Sequence, residues 1–367
     1  MNHSYKIKVA ITQGDINGVG YEVILKTLSD PRIIELCTPI VYGIAKVASY
    51  HRKALDLAPL TFNIINSAEE AEDGKLNFIN CSEEEVKVEF GQSTESAGFA
   101  AFQALVHATD EFNNGMVDVL VTAPINKHNI QSEEFKFPGH TEYLENKCGK
   151  GDKSLMILMQ ESLRVALVTT HMPLKEVPSH ITMDNILEKL NLFNQTLKQD
   201  FNIQKPKIAV LSLNPHSGEE GLLGMEEIEV IKPAINQAMI DGMLCFGPYA
   251  ADGFFGSMKY KEFDGVLAMY HDQGLAPFKT IAMENGVNYT AGIPLIRTSP
   301  DHGTAYDIAG KGIASEESFR QALYSAIDAF RNRIEYFEIR KNPLRKQYFD
   351  RSGDNEKLDL TSEPQND

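Results

Sequence analysis

The sequence is poor in cysteine and in positive charge. Its four cysteines, at positions 37, 81, 148 and 245, are widely separated and form no Cys-x-x-Cys pair. Neither a disulfide framework nor a zinc knuckle is therefore predicted, and a reduced cytoplasm is the expected compartment. Lysine and arginine number 35 against 51 acidic residues, for a net charge of −16 and no basic stripe. A nucleic-acid partner is not expected, because such binding normally needs a Lys/Arg footprint.

Long apolar runs are missing too. No segment approaches the roughly 20 apolar residues needed to span a bilayer. The first residues lead directly into a strand-like run, without the apolar region of a signal peptide. We therefore expect no membrane association. From about position 341 the chain turns polar and acidic, so we expect one folded unit over residues 1–340 and a tail over 341–367 without a core of its own.

Apolar runs of strand length alternate with longer stretches of helical periodicity. Strands are predicted over residues 8–12, 39–42, 117–122, 155–159, 165–169, 208–213 and 265–270. Helices are predicted over residues 21–28, 96–113, 184–200, 224–241 and 316–338. Several strands are apolar throughout, as expected when helices cover both faces of a sheet. The pattern predicts an α/β protein, and its 367 residues suggest two lobes or one elaborated domain.

Three histidines stand where predicted strands end: His171, His216 and His271. In α/β proteins the carboxyl ends of parallel strands open into the ligand crevice, and imidazole is the commonest metal ligand. One such histidine is usually a structural hydrogen-bonding group. Three in the same topological position instead predict a shared divalent cation with coordination positions left open for a substrate.

The first strand runs into Thr12-Gln-Gly-Asp-Ile-Asn-Gly-Val-Gly20, whose glycines permit a tight turn or a close approach to a ligand. This order is neither the dinucleotide fingerprint nor a P-loop, so a turn and a binding role stay equally open.

Two further loops contain Lys127 and the run Gly139-His-Thr-Glu142. Thr141 is predicted to cap a helix whose N–H groups favour an anion, and His140 to sit beside a substrate as a proton carrier. Lys127 is equally compatible with a solvated surface charge.

Further polar residues follow His216 and His271. Glu219 and Glu220 are candidates to orient His216, or plain acids at a helix start, and Asp252 is a candidate to face the site. Asp272 adjoins His271 and offers an acid/base group.

Beyond them, Lys279, Asn288 and Arg297 suit a small substrate with carboxylate or phosphate groups. The alternative for Arg297 is an internal ion pair with Asp301.

Taken together, these motifs resemble the 4-hydroxythreonine-4-phosphate dehydrogenase family of vitamin B6 biosynthesis, over residues 6–335. The resemblance rests on an ordered series: Gln13-Gly-Asp15, Thr122-Ala-Pro-Ile-Asn-Lys127, Gly139-His-Thr-Glu142, Thr170-His171, Asn214-Pro-His216, Gly247-Pro248, Met269-Tyr-His-Asp-Gln-Gly-Leu275 and Arg297-Thr-Ser-Pro-Asp-His-Gly-Thr304. Departures from the family pattern occur at Ile16-Asn17, Ser217 and Gly253, and none removes a predicted ligand.

The resemblance implies an isocitrate/isopropylmalate dehydrogenase-like fold, with two α/β/α lobes around a cleft. It implies that His171, His216 and His271 bind zinc, magnesium or cobalt. It implies substrate contacts from His140, Thr141, Lys279, Asn288 and Arg297. It also implies NAD (or NADP) as cofactor, although the sequence identifies no residue that contacts it, and a homodimer whose site lies at the subunit interface.

The expected reaction is metal-assisted oxidation of 4-phosphohydroxy-L-threonine to a β-keto acid, which decarboxylates to 3-amino-2-oxopropyl phosphate. Lys279 and Arg297 would hold the anionic groups, while His140 or Asp272 would relay protons. Phosphothreonate and phosphoerythronate are alternative substrates. A three-histidine metal hydrolase and a catalytically silent metabolite-binding protein are the competing classes.

Overall fold

The structure, a computed structural model, describes residues 5–282 and 284–343. Most of the predicted acidic tail therefore lies outside the described residues. Twelve strands are present: β1 Lys8–Thr12, β2 Thr38–Gly43, β3 Phe62–Ile65, β4 Leu76–Asn80, β5 Val119–Thr122, β6 Leu155–Gln160, β7 Leu163–Leu167, β8 Lys207–Leu211, β9 Leu244–Tyr249, β10 Gly265–Ala268, β11 Val287–Ala291 and β12 Ile296–Pro300.

Eleven α-helices lie among the described residues: α1 Gly20–Leu28, α2 Ile33–Leu36, α3 Ala45–Ala54, α4 Glu95–Asn113, α5 His140–Cys148, α6 Val177–His180, α7 Met183–Gln199, α8 Lys232–Ile240, α9 Ala251–Gly256, α10 His271–Ile281 and α11 Glu317–Glu338. None of these helices is long and apolar enough to cross a membrane.

All twelve strands form one sheet, in the order β3-β4-β2-β1-β5-β12-β11-β6-β7-β10-β8-β9. The six strands from β3 to β12 run parallel to one another, and so do the four from β7 to β9. Between them, β11 is antiparallel to β12 and β6, and β6 is antiparallel to β7. The two parallel groups therefore run in opposite directions, joined through β11 and β6.

Helices cover both faces of the sheet, because its strands are apolar on both sides. In β1, Val9 and Ile11 belong to one buried cluster and Ala10 to another. Helix α4 packs on β1 and β2, α7 on β6, β7, β10 and β11, and α11 on β5, β11 and β12. This arrangement agrees with the α/β class predicted from the sequence.

The seven predicted strands are all present, with ends shifted by a few residues. The predicted helix over 224–241 starts later, as a π-helical turn Glu227–Ile231 that continues into α8. The sequence pattern missed β3, β4, β9, β11 and β12. Two of these carry predicted substrate contacts, because Asn288 lies on β11 and Arg297 on β12.

Candidate active site

The three predicted metal-binding histidines follow three neighbouring parallel strands. His171 comes after β7, His271 after β10 and His216 after β8, and the sheet order is β7-β10-β8. The rings of His171 and His271 lie with their centroids 5.8 Å apart. That separation allows both imidazoles to bind one ion.

Each of these two histidines has a carboxylate partner on the same ring nitrogen. Nδ1 of His171 lies 3.1 Å from Oε1 of Glu142, and Nδ1 of His271 lies 2.7 Å from Oδ1 of Asp272. A carboxylate only accepts, so Nδ1 carries the proton and Nε2 keeps its lone pair. Histidines that ligate metals are typically oriented in this way. The pair therefore fits a metal ion bound through Nε2.

His216 stands apart from this pair on an unusual turn. Its φ is +51°, and Ser217, Glu219 and Glu220 also have positive φ. The buried carboxylate of Glu227 holds the start of the turn by accepting hydrogen bonds from the N–H groups of residues 213 and 214, both at 2.8 Å. The imidazole is exposed and does not line the cavity described below. Within residues 5–282 and 284–343, no three metal-binding side chains of one chain cluster together.

A cavity of about 260 Å³ adjoins the histidine pair. All five predicted substrate contacts line it, together with both histidines of the pair: His140, Thr141, Lys279, Asn288, Arg297, His171 and His271. They come from both parallel groups of the sheet and from the antiparallel strands between them. The reversal of strand direction is thus what brings these segments to one cavity.

Arg297 is 2 % exposed, and its guanidinium donates to hydroxyl groups of Thr122 and Thr290. Among the described residues, no carboxylate lies within 4 Å of it. Burial lowers the pKa of Arg297 to about 9, so the group is still cationic at neutral pH. The alternative ion pair with Asp301 is wrong, because Asp301 pairs with Lys279 at 3.3 Å. The carboxylate of Glu142 acts on Arg297 only from beyond ion-pair distance. A buried cation without a direct carboxylate partner suits an anionic ligand.

His140 is the first residue of α5, where Gly139 occupies the cap position without a side-chain hydrogen bond. The predicted cap at Thr141 is therefore wrong, since Thr141 lies in the first turn. Burial, with the nearby charges of Arg297 and Lys127, holds the pKa of His140 well below its usual range. The imidazole is therefore neutral at physiological pH.

Two further residues of the family motifs, Glu142 and His302, belong to the site although the sequence analysis gave them no role. Glu142 orients His171, and His302 lines the cavity with Nδ1 2.9 Å from the carbonyl oxygen of Gly303. Three buried acceptor atoms around the cavity lack a protein partner: Oε2 of Glu142, Oδ1 of Asn288 and Nε2 of His302. Buried polar atoms normally have partners, so these atoms fit a ligand that carries hydrogen-bond donors.

Other candidates from the sequence lie outside the cavity. Glu219, Glu220 and Asp252 are exposed and do not line it. The glycine-rich turn is packed rather than open, since a Cβ on Gly14 would lie 2.4 Å from a carbonyl oxygen and one on Gly18 2.6 Å from another. The turn interpretation of that loop is therefore the better one. Asp272 contacts His271 but is exposed on a neighbouring groove.

An α/β fold with paired histidines and a buried cation at one cavity is the arrangement expected of an enzyme that acts on small anions. The profile of the family described as pyridoxal phosphate biosynthetic protein PdxA matches residues 35–326. The chain belongs to this family.

Curated relatives match over nearly the whole chain. The 4-hydroxythreonine-4-phosphate dehydrogenase of Bacteroides thetaiotaomicron is 63% identical over 355 residues, 97% of each chain. The enzyme of that name from Sulfurihydrogenibium sp. is 41% identical, covering 88% of this chain and 98% of the relative.

Solved structures of the same family have a similar fold. A crystal structure of 4-hydroxythreonine-4-phosphate dehydrogenase from Klebsiella pneumoniae has a TM-score of 0.77 at 34% identity, covering 90% of this chain and 99% of that one. A terephthalate 1,2-cis-dihydrodiol dehydrogenase from Burkholderia xenovorans shares the fold alone, with a TM-score of 0.56 at 24% identity over 84% of this chain and 94% of that one. The predicted family and fold class are confirmed.

Proposed function

We propose that this chain catalyses the NAD-dependent oxidation of 4-phosphohydroxy-L-threonine to a β-keto acid that decarboxylates to 3-amino-2-oxopropyl phosphate, in the cytoplasm and on the route to pyridoxal phosphate. The observation that carries the proposal is the buried, unpaired Arg297 in a cavity lined by all the other expected substrate contacts. The names of the relatives support the same activity.

The cationic side chains bind the anionic ends of the substrate. Arg297 offers a fixed fork of donors, and Lys279 adds an ammonium that lies 3.3 Å from a carboxylate oxygen of Asp301. The free acceptors on Asn288 and His302 take up donors of the substrate. This combination of cations and acceptors suits a molecule with both a phosphate and an ammonium or hydroxyl group.

His140 is the better candidate for the proton acceptor. It is neutral and lines the cavity, and an anionic substrate bound to Arg297 offsets part of the positive charge that lowers its pKa. It accepts the proton of the substrate hydroxyl as the carbinol carbon is oxidised. Asp272 instead orients His271 through the 2.7 Å contact with Nδ1, because its carboxylate lies outside this cavity.

His171 and His271 would hold a divalent cation through Nε2, and imidazole ligands favour zinc or cobalt over magnesium. A bound cation supplies a Lewis acid that makes the substrate hydroxyl easier to deprotonate and stabilises the enolate formed on loss of carbon dioxide. The nicotinamide supplies the hydride acceptor.

His216 completes the ligand set from a second subunit of a homodimer. A groove of about 720 Å³ opens beside His171 and His271 and includes Leu174, which is 69% exposed. On the same chain, His216 lies on an exposed turn followed by Leu222, which is 80% exposed. Two exposed apolar surfaces, each beside part of the ligand set, suit a two-fold interface in which each covers the other.

The test is formation of NADH from NAD and 4-phosphohydroxy-L-threonine, with and without a chelator and with NADP in parallel. We expect NAD reduction that the chelator abolishes and added zinc or cobalt restores. No turnover by the folded, metal-loaded protein would overturn the substrate assignment, and phosphothreonate and phosphoerythronate are then assayed. Phosphate release without any nicotinamide would instead identify the hydrolase.

A further inference from the structure

Lys127 is a charged residue of the cavity to which neither the resemblance nor the proposed reaction gives a role. It follows β5 and lines the cavity, and its Nζ lies 3.4 Å from Nε2 of His171. Among the described residues, no carboxylate lies within 4 Å of this ammonium. Lys127 is exposed, yet its ammonium is directed at a predicted metal ligand.

The contact uses the nitrogen that a metal needs. Glu142 fixes the proton of His171 on Nδ1, so the lone pair on Nε2 accepts from the ammonium of Lys127. One lone pair serves one partner, and a metal ion at Nε2 therefore displaces the ammonium. We infer that Lys127 competes with the metal for His171 and, once displaced, binds a substrate oxygen next to the metal. This inference rests on the proposed function.

The surroundings keep the displaced ammonium close. The carbonyl oxygen of Lys127 accepts a hydrogen bond from Gln131 at 3.0 Å, which anchors the backbone. Its Cε lies 3.6 Å from the position of a Cβ on Gly139, at the start of α5, so the stem runs along the cavity wall. Swinging away from Nε2 thus moves Nζ by a short distance within the same cavity.

The charges of the lining favour an anionic oxygen at that point. Lys127, Lys279 and Arg297 are cationic, against the carboxylates of Glu142 and Asp301. A divalent ion increases this positive excess, and like charges at short range repel unless an anion lies between them. The carboxylate of the substrate supplies such an anion when its phosphate occupies Arg297 and Lys279. Lys127 is in this view a substrate-binding residue whose position depends on the metal.

Substituting Lys127→Met separates this role from a structural one, because the affinity for zinc should rise while the affinity for the substrate falls. Zinc affinity of metal-stripped protein, measured by competition with a chromophoric chelator, should rise about tenfold since the competing cation is gone. In the zinc-loaded protein, KM for 4-phosphohydroxy-L-threonine should rise about tenfold or more through loss of a charged hydrogen bond. Lys127→Arg keeps the charge and should keep zinc affinity near that of the parent.

Lys136→Met, at an exposed lysine on the same segment, is the matched control and should change neither quantity. Weaker zinc binding in Lys127→Met would overturn the inference, because a supporting residue lowers metal affinity when removed. Unchanged KM would overturn the substrate contact. Failure of the proposed function appears already in the parent protein as absence of NAD reduction, while the zinc titration still decides the competition.

Discussion

Two N–H groups of Arg297 converge on a single hydroxyl, Oγ1 of Thr122, at 3.0 and 2.5 Å. A hydroxyl orients a guanidinium but does not neutralise it. Arg333, whose side chain is 13% exposed, differs in this respect, since it holds both carboxylate oxygens of Asp200 at 2.7 and 2.8 Å. Arg297 is therefore a candidate to bind an anionic ligand, whereas Arg333 stabilises the fold through its ion pair.

Replacing Arg297 with methionine should raise KM for the phosphorylated substrate about 10- to 100-fold, the loss of a charged bidentate contact. The melting temperature should stay or rise, because an uncompensated buried charge disappears. Steady-state kinetics and thermal unfolding on the same preparation measure both. A large loss of stability with unchanged KM would show that Arg297 is structural.

Arg333→Met is the matched control. It leaves the buried Asp200 carboxylate without its partner, so the free energy of unfolding should fall by about 3–5 kcal/mol. KM of the surviving folded enzyme should be unchanged, since Arg333 does not line the cavity.

Mixing two inactive variants tests whether His216 acts across the proposed homodimer. His216→Ala and His271→Ala should each abolish metal binding and turnover as homodimers without unfolding the chain. A heterodimer would contain one intact site, built from His171 and His271 of one chain and His216 of the other. Co-refolding equal amounts should therefore restore about a quarter of the parental activity. If all three ligands came from one chain, mixing would restore nothing.

Glu142→Gln should weaken zinc binding about 10- to 100-fold, as expected when the carboxylate that orients a ligating histidine is lost. The amide keeps the shape, so the thermal stability should change little. Glu145→Gln, one turn along α5, is the control: Glu145 binds the N–H and hydroxyl of Ser154, and its loss should not alter zinc affinity. Equal zinc affinity in Glu142→Gln and the parent would refute the assignment of Glu142.

His51 gives the fold a predictable sensitivity to acid. It is fully buried on α3, and burial lowers its pKa to about 4 from an ordinary value near 6.5. The unfolded chain therefore binds a proton more readily. The stability due to neutral His51 is fully present above pH 6.5 and is lost as pH falls toward 4, by about 2 kcal/mol between pH 7 and pH 5.

Urea unfolding at both pH values measures this effect. His51→Gln should reduce the pH dependence of the unfolding free energy by that amount, whatever it does to stability at pH 7. His107→Gln, at an exposed histidine of α4, should leave the pH dependence as it is in the parent. Parallel curves for the parent and His51→Gln would contradict the assignment.

The sequence predicted those parts of the fold whose residues obey a simple pattern. Strands β7, β8 and β10 each end in an apolar run, so the sequence shows where these strands end and which histidines follow them. Strands β11 and β12 carry the polar residues Asn288 and Arg297, which face the cavity and interrupt the apolar run. The polar residues that the site needs thus break the apolar pattern by which these two strands would be predicted.

Two features of the site could not be predicted by local reasoning. An acid at position 142 looks like any carboxylate in the first turn of a helix, and its contact with His171 arises from packing between distant segments. The positive φ values of His216, Ser217, Glu219 and Glu220 contradict the preferences of those residues. Contacts from other segments fix the approach to this turn, such as the hydrogen bonds from the N–H groups of residues 213 and 214 to Glu227.

The turn that carries His216 limits how far the thermal stability of the protein can be raised. Each non-glycine residue in the left-handed region costs roughly 1 kcal/mol or more that glycine would not. Selection for heat resistance alone should therefore favour glycine at Ser217, Glu219 and Glu220, and each replacement would also widen the range of directions open to the neighbouring His216. Heat tolerance and the proposed metal-binding role of His216 therefore place opposite demands on these residues, and screening for heat tolerance alone should weaken metal binding.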